Sequence, residues 1–282
     1  LYDRKKFHYW QLEARNKKVK NVLYLNSSSV IYGAETRLLD IIKNLDRSKF
    51  HPFVLLPHPG PLDDKLKKLG VTTMHLEYGF PLNKINKENT IRFLRLNKEF
   101  VQMVRRHDID LIHANLHINM CNFWLGLLLL RLPVIVHMRS HFWISPFERC
   151  FISRTFKAIC ISRFVEREFL KKRRFNSLMD RRPEQTTILH DGIDINHFNP
   201  YSNRARIRKA LNIRPDDFLV GIIGAVDKIK GQDLLIRAAR IVNQKHPRAK
   251  YVIVGDLYHN AKCNTDYRDG LFKMVEEFGL KD

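Results

Sequence analysis

A chain of 282 residues with 44% hydrophobic and 11% aromatic residues is long enough for two cored domains, and this composition excludes intrinsic disorder. Its 50 basic and 29 acidic residues leave a formal charge of +21, which favours anionic partners: nucleic acid, an anionic membrane leaflet or phosphorylated substrates. Four scattered cysteines, Cys121, Cys150, Cys160 and Cys263, form no Cys-x-x-Cys pair, which speaks against a metal site and for a reducing, cytoplasmic compartment.

The chain opens on a basic leader, residues 1–18, with no apolar core resembling a signal peptide and no initiating Met, so a fragment is expected. Short β-type runs then alternate with helix-type runs, the pattern of parallel strands joined by crossover helices. Strands are expected at 19–26, 51–57, 71–78, 110–115, 133–138, 157–162 and 186–190. Helices fall between them at 34–45, 62–69, 90–107, 120–130, 147–154 and 164–173. Together, residues 19–192 make one doubly wound domain. The most apolar run, "FWLGLLLLRLPVIV" at 123–136, is interrupted by Arg131 and Pro133 and is too short on either side of them to cross a bilayer; a buried helix followed by a buried strand explains it.

A turn-rich linker, 193–216, precedes a second α/β domain at 217–282. It has strands at 218–223 and 249–256 and helices at 231–244 and 267–278, with a short helix at 204–211 leading in. Two parallel strands cannot cover their own edges, so this second domain is expected to be incomplete.

Three stretches hold candidate chemistry. In "VGIIGAVDKIKGQDLLIRAARIV", from Val220, an apolar strand meets Gly224, passes a turn with Lys228 and Lys230, and restarts as a helix near Gly231. A helix mouth presents backbone N–H groups and positive potential, and phosphate is its usual guest. "NSSSVIYGAETRLLDII" reads either as a serine-rich βα loop with glycine for turn geometry or as a glycine loop at a strand's carboxyl end, where open α/β sheets bind ligands. "PVIVHMRSH" sets His137, Arg139 and His141 at alternate positions, on one face if the strand persists. In addition, "SRFVEREFLKKRRF" places Phe164, Val165 and Phe169 on one helical side and ends in Lys171, Lys172, Arg173 and Arg174. That end is either a helix terminus favoured by its dipole or a patch for anionic lipid.

Taken in order, "YGAETRLLDIIKNL", "IDLIHANLHIN", "AICISRFVEREFL", "ILHDGIDINHFNP", "VGIIGAVDKIKGQDLLIRAA" and "AKYVIVGD" resemble a nucleotide-sugar-dependent glycosyltransferase of family 4. The resemblance runs from about Val19 to Asp282. It implies a GT-B fold of two Rossmann-like domains, with an acceptor-side domain first and a donor-binding domain second and cut short. It also implies sugar transfer with retention of configuration, a nucleotide-sugar donor, a saccharide or lipid-linked acceptor, and neither cofactor nor metal. Gly33 and Ala34 match a Gly-Gly-x-Glu loop that approaches the donor diphosphate, although Tyr32 replaces its first glycine. Gly224, Lys230 and Gly231 match the donor-domain turn whose lysine contacts the departing diphosphate; Ala225 stands where an arginine is usual. His113 and Asn115 fall on the acceptor side of the cleft. Arg139, more than His137, falls nearest the place of a histidine beside the reacting sugar, where an arginine would bind phosphate or stabilise charge but not act as a base. The rival reading, a basic binding protein for nucleic acid or another anionic polymer, rests on charge alone, and no nucleic-acid motif is present, so nucleic acid is an unlikely partner.

Overall fold

In β1 (Lys20–Leu25) successive side chains serve two different cores: Val22 and Tyr24 face one way, Leu23 and Leu25 the other, and all four are buried. That is why the strand reads as a nearly continuous apolar run, since a parallel sheet is covered on both faces. The computed structural model describes residues 19–79, 87–139, 157–173, 186–198, 203–257 and 262–280. The chain divides into two compact units, Leu1–Gly192 and Ile193–Asp282.

The first unit holds a parallel sheet of β1, β2 (Phe50–Leu56), β3 (Thr72–His75), β4 (Leu111–Ala114), β5 (Val134–Met138), β6 (Lys157–Cys160) and β7 (Thr186–Ile188). Its spatial order is β3-β2-β1-β4-β5-β6-β7. The order reverses between β1 and β4, which pair Val22 with Leu111 through Leu25 with Ala114. Helices α1 (Gly33–Lys43) and α2 (Pro61–Lys68) cover the Val22 and Tyr24 face through Leu38, Ile42, Leu62 and Leu66. The other face takes α3 (Lys87–Arg106), α4 (Trp124–Leu130) and α5 (Arg163–Arg173).

The strands of this unit other than β2 are shorter at their ends than the sequence suggests, and the expected helix at 120–130 is two pieces: a 3-10 segment, His117–Phe123, leads into α4. Asn97 explains the close approach of α3 and α4. Its Oδ1 accepts the Gly126 amide at 2.7 Å and its Nδ2 donates to Asn122 O at 2.9 Å, while a Cβ at Gly126 would meet Phe100 Cδ1 at 2.7 Å. The apolar run at 123–136 is α4 and β5 with Arg131 in a left-handed conformation between them, and among the described residues no helix is long and apolar enough to cross a membrane. In α5, Val165 and Phe169 are buried but Phe164 is 55% exposed, which corrects the expectation that all three share the core side. Positions 165 and 169 are one turn apart; 164 is rotated off that stripe. The expected helix at 147–154 lies outside the described residues.

In the second unit β8 (Phe218–Ile223) pairs in parallel with β9 (Ala249–Val254). Helices α6 (Arg204–Ala210), α7 (Gln232–Asn243) and α8 (Lys262–Glu277) accompany them, α8 starting earlier than expected. Its core is small: Val226, Ile236 and Leu271, with Ile253, Tyr267 and Met274 against them. Phe218 and Ile223 are 71% and 83% exposed.

Candidate functional site

The sheet of the first unit reverses its order between β1 and β4, and in such sheets ligands bind outside the carboxyl ends of the strands at that point. The residues that follow β1, β4 and β5 there are Asn26, Asn115 and Arg139, joined by one hydrogen-bonded network. Asn26 Nδ2 donates to Glu35 Oε1 at 3.2 Å, and Asn26 Oδ1 accepts from Asn115 Nδ2 at 2.8 Å. Asn115 Nδ2 also reaches Ala34 O at 3.2 Å. Arg139 then donates to Asn115 Oδ1 from Nη2 at 2.9 Å and from Nε at 3.2 Å, and Nε also reaches Asn115 O. Asn26, Asn115 and Glu35 are buried, and every polar side-chain atom named here has a partner, as burial demands. Tyr78 OH closes the base, donating within reach of Asn26 O and Leu55 O.

Two further contacts complete Arg139. Its Nη1 pairs with Asp191 Oδ1 at 3.0 Å, and its Nη2 lies 3.2 Å from His137 Nδ1. A guanidinium only donates, so His137 Nδ1 accepts and the imidazole proton sits on Nε2. Burial, reinforced by the Arg139 charge, lowers the His137 pKa to about 3; burial, then His137 and Arg139, does the same to His113. The two rings stack with centroids 5.8 Å apart, and the Nε2 atoms of both are buried without a partner among the described residues. Both imidazoles are neutral at physiological pH. Burial lowers the Arg139 pKa and Asp191 opposes that shift only in part; the group stays a cation.

Gly33 and Ala34, expected in a loop, instead open α1, just past the loop that ends at Tyr32. Gly33 has no positive φ, and a Cβ there would meet nothing within 4 Å, so turn geometry does not require glycine. Glu35, which the motif reading passed over, organises this loop: its Oε2 accepts the Tyr32 amide at 3.1 Å, as the third helical residue of a capping box does. Arg37, one turn on from Gly33, was also missed. Its guanidinium donates to Gly192 O and pairs with Asp40 Oδ2 at 2.9 Å.

In the second unit the lysine-bearing turn is a 3-10 segment, Lys228–Lys230, capped by Asp227, whose Oδ1 accepts the Ile229 amide at 3.0 Å. Lys230 is exposed, and Gly231 follows with φ of 73°, the left-handed value that favours glycine. Gln232 is fully buried and donates to Ala225 O at 2.8 Å, fastening the turn to α7. The helix mouth is less open than the sequence suggests. The Asp233 amide donates to Tyr267 OH at 3.1 Å, and the Leu234 amide bonds Gly231 O at 3.1 Å. Gly224 lies so near Gly255 that a Cβ on Gly255 would fall 1.8 Å from Gly224 O.

Among the described residues no group of three or more His, Cys, Asp or Glu side chains could hold a metal ion. Cys160 is buried, and burial raises its pKa to about 12, so it is a thiol. In the basic cluster Lys171 pairs with Glu168 at 2.8 Å; the side chains of Lys172 and Arg173, and all of Arg174 and His141, lie outside the description.

The sequence profile of Glycosyltransferase Family 4 matches residues 31–197, more than half of the chain. The chain belongs to Glycosyltransferase Family 4. A second profile, Glycosyl transferases group 1, matches residues 203–282. A curated relative of this Family 4 chain, the D-inositol 3-phosphate glycosyltransferase of Mycobacterium ulcerans (strain Agy99), is 26% identical over 100 residues, covering 36% of this chain and 20% of the relative. The enzyme of the same name from Mycobacterium tuberculosis (strain F11) is 28% identical over 98 residues, 35% of this chain and 19% of its own length. The matched stretch thus spans about a fifth of these relatives. Among solved structures, HepE of Anabaena in complex with UDP and glucose is 24% identical with a TM-score of 0.70, over 93% of this chain and 67% of that one. A glycosyltransferase from Rickettsia africae ESF-5 gives a TM-score of 0.74 at 13% identity, over 94% and 67%. These likenesses show the α/β, GT-B type fold.

Proposed function

We propose that this protein transfers a sugar from a nucleoside diphosphate sugar to a saccharide or lipid-linked acceptor, with retention of configuration. The observation that carries this reading is the tandem of glycosyltransferase profiles, 31–197 and 203–282, one for each compact unit. In this reading the second unit takes the donor and the first the acceptor. The bond between the sugar's C1 and the β-phosphate oxygen breaks, its electron pair staying on the oxygen. The acceptor hydroxyl bonds C1 and gives up its proton to the departing diphosphate. Lys230 stabilises the charge that grows on that leaving group, with Lys228 the nearest substitute for the cation absent at Ala225. Gly33 and Ala34 give backbone room to the diphosphate, and Arg139 with His137 lies beside the reacting sugar. Uridine diphosphate is the donor class to test first, because HepE of Anabaena was solved with UDP and with UDP-glucose. No step in this reading uses a metal.

The acceptor would be met at the cytoplasmic face of an anionic membrane, approached through Lys171, Lys172, Arg173 and Arg174, as the charge of +21 supports. The test is to incubate the whole protein with labelled UDP-sugars and membrane lipid or saccharide acceptors, with Lys230→Ala as control, and to read the anomeric configuration of the product. Polynucleotide retention that depends on salt, together with no binding of any nucleotide sugar, would reverse the assignment.

A further inference from the structure

The guanidinium of Arg139 is committed on its inner edges and offered on one. Its Nε and Nη2 face Asn115 and His137, both neutral, and only Nη1 points to a charge, Asp191 at 3.0 Å. Glu35 is near enough to be felt, but its oxygens bond Asn26 and the Tyr32 amide. The Arg139 side chain is 7% exposed and that of Asp191 35%. An arginine cannot shed its charge, so a buried one always needs an anion beside it. Here the anion is a half-exposed carboxylate on an irregular stretch after β7.

Arg37 stands at the same place. It donates to Gly192 O, the residue next to Asp191, and its charge is felt by Arg139. Two guanidiniums therefore hold consecutive residues of one loop, one by its carboxylate and one by its carbonyl. His137 keeps the inner edge of Arg139 free of a counter-charge. With Nδ1 turned to Arg139, the buried Nε2–H of His137 has no acceptor among the described residues, an expensive state for a polar hydrogen.

We propose that Arg139 and Arg37 form an oxyanion subsite in the first unit, in which the Asp191 carboxylate is an exchangeable counter-ion that a substrate phosphate group displaces. Displacement trades one charge-assisted bond at Arg139 for another, and Arg37, which keeps its own pair with Asp40, adds a second positive charge felt at the same place. Asp191 thereby sets the affinity of the subsite. The phosphate belongs either to a phosphorylated acceptor or to the donor diphosphate, and the two are separable by experiment. Only this choice of source rests on the glycosyltransferase reading.

The test is isothermal titration of the full chain and its Asp191→Asn variant with inorganic phosphate, glucose 6-phosphate and UDP. Because the anion no longer competes with a partly exposed carboxylate, Asp191→Asn tightens phosphate binding by about three- to tenfold. A gain for glucose 6-phosphate without one for UDP identifies a phosphorylated acceptor; the reverse identifies the donor diphosphate. Arg37→Gln, at a partly exposed side chain, weakens phosphate binding, and Arg139→Gln abolishes it. Should Arg139→Gln fail to fold, Asp191→Asn decides alone, since a purely structural ion pair gives no gain of affinity when broken. Unchanged or weaker phosphate binding in Asp191→Asn would overturn the subsite. Absence of sugar transfer with intact phosphate binding would instead sink the proposed activity and leave the subsite standing.

Discussion

The hydroxyl of Tyr267, on α8, accepts the Asp233 amide at 3.1 Å and donates to Asp233 Oδ1 at 2.8 Å. One of the N–H groups at the mouth of α7 is therefore satisfied from within the second unit. Tyr267→Phe leaves that amide to water and is expected to cost about 1 kcal/mol of stability. Amide hydrogen exchange is the measurement, because the Asp233 amide should exchange faster in the variant while amides of β1 keep their rates. Unaltered exchange at Asp233 would show that the hydroxyl adds nothing there.

Two glycines should respond in opposite ways. A Cβ on Gly255 would lie 1.8 Å from the carbonyl oxygen of Gly224, and backbone on both sides leaves no flexible group to yield. Gly255→Ala is expected to cost about 3 kcal/mol or to prevent soluble expression, the upper end of overpacking. Gly33→Ala, with nothing within 4 Å of the new methyl, should melt at the wild-type temperature or slightly above. Any loss of UDP binding in Gly33→Ala then belongs to the ligand and not to the fold.

The strands of the first unit were legible because parallel sheets buried on both faces concentrate apolar residues, as in Leu23, Tyr24 and Leu25. Gly231 was legible as the glycine where the helix pattern restarts, and its left-handed φ of 73° is the physical reason for glycine there. What stayed hidden depends on partners far along the chain. The pairing of Asn26 with Asn115 spans 89 residues and exists only because β4 lies beside β1. Asn115, read as a cleft residue, spends its side chain on Asn26, Ala34 and Arg139, so it supports the site from below. The ion pair of Arg139 with Asp191 needs the sheet order as well, and no local pattern announces it. Glu35 carried a readable signal, a carboxylate three residues past a helix N-cap. Phe164 was misplaced because adjacent residues were counted as one face.

Lys230 is exposed at the end of the 3-10 turn, which Asp227 and Gln232 hold from either side. Lys230→Ala should leave the fold intact, since no core contact is lost, and should weaken nucleoside diphosphate binding and turnover by about tenfold or more, equivalent to about 1.4 kcal/mol. Kinetics with a labelled UDP-sugar check it. If kcat falls while the donor KM stays fixed, the lysine acts on the departing diphosphate and not on the bound sugar nucleotide. Wild-type kinetics would remove it from the site.

The stacked pair His113 and His137 makes the first unit sensitive to acid. Both are buried, 8% and 2% exposed, and both have pKa values near 3, against 6.5 for an unburied imidazole. A histidine with a depressed folded pKa is neutral in the fold but takes up a proton when unfolded. Between pH 6.5 and about 3 the unfolded chain therefore binds more protons, and stability falls as pH falls. At pH 5, roughly 1.5 units below the unfolded value, each imidazole is expected to remove about 2 kcal/mol relative to high pH. Protonating His137 in place would also set a second cation beside Arg139, whose directly paired counter-ion is Asp191. All three tryptophans, Trp10, Trp124 and Trp143, belong to the first unit, so urea unfolding followed by tryptophan fluorescence reports on it. The midpoint should drop clearly from pH 7 to pH 5, and less in a His113→Gln, His137→Gln double variant, whose amides do not titrate. A midpoint that is flat or rises over that interval in the unsubstituted protein would mean that these imidazoles are not held neutral by burial.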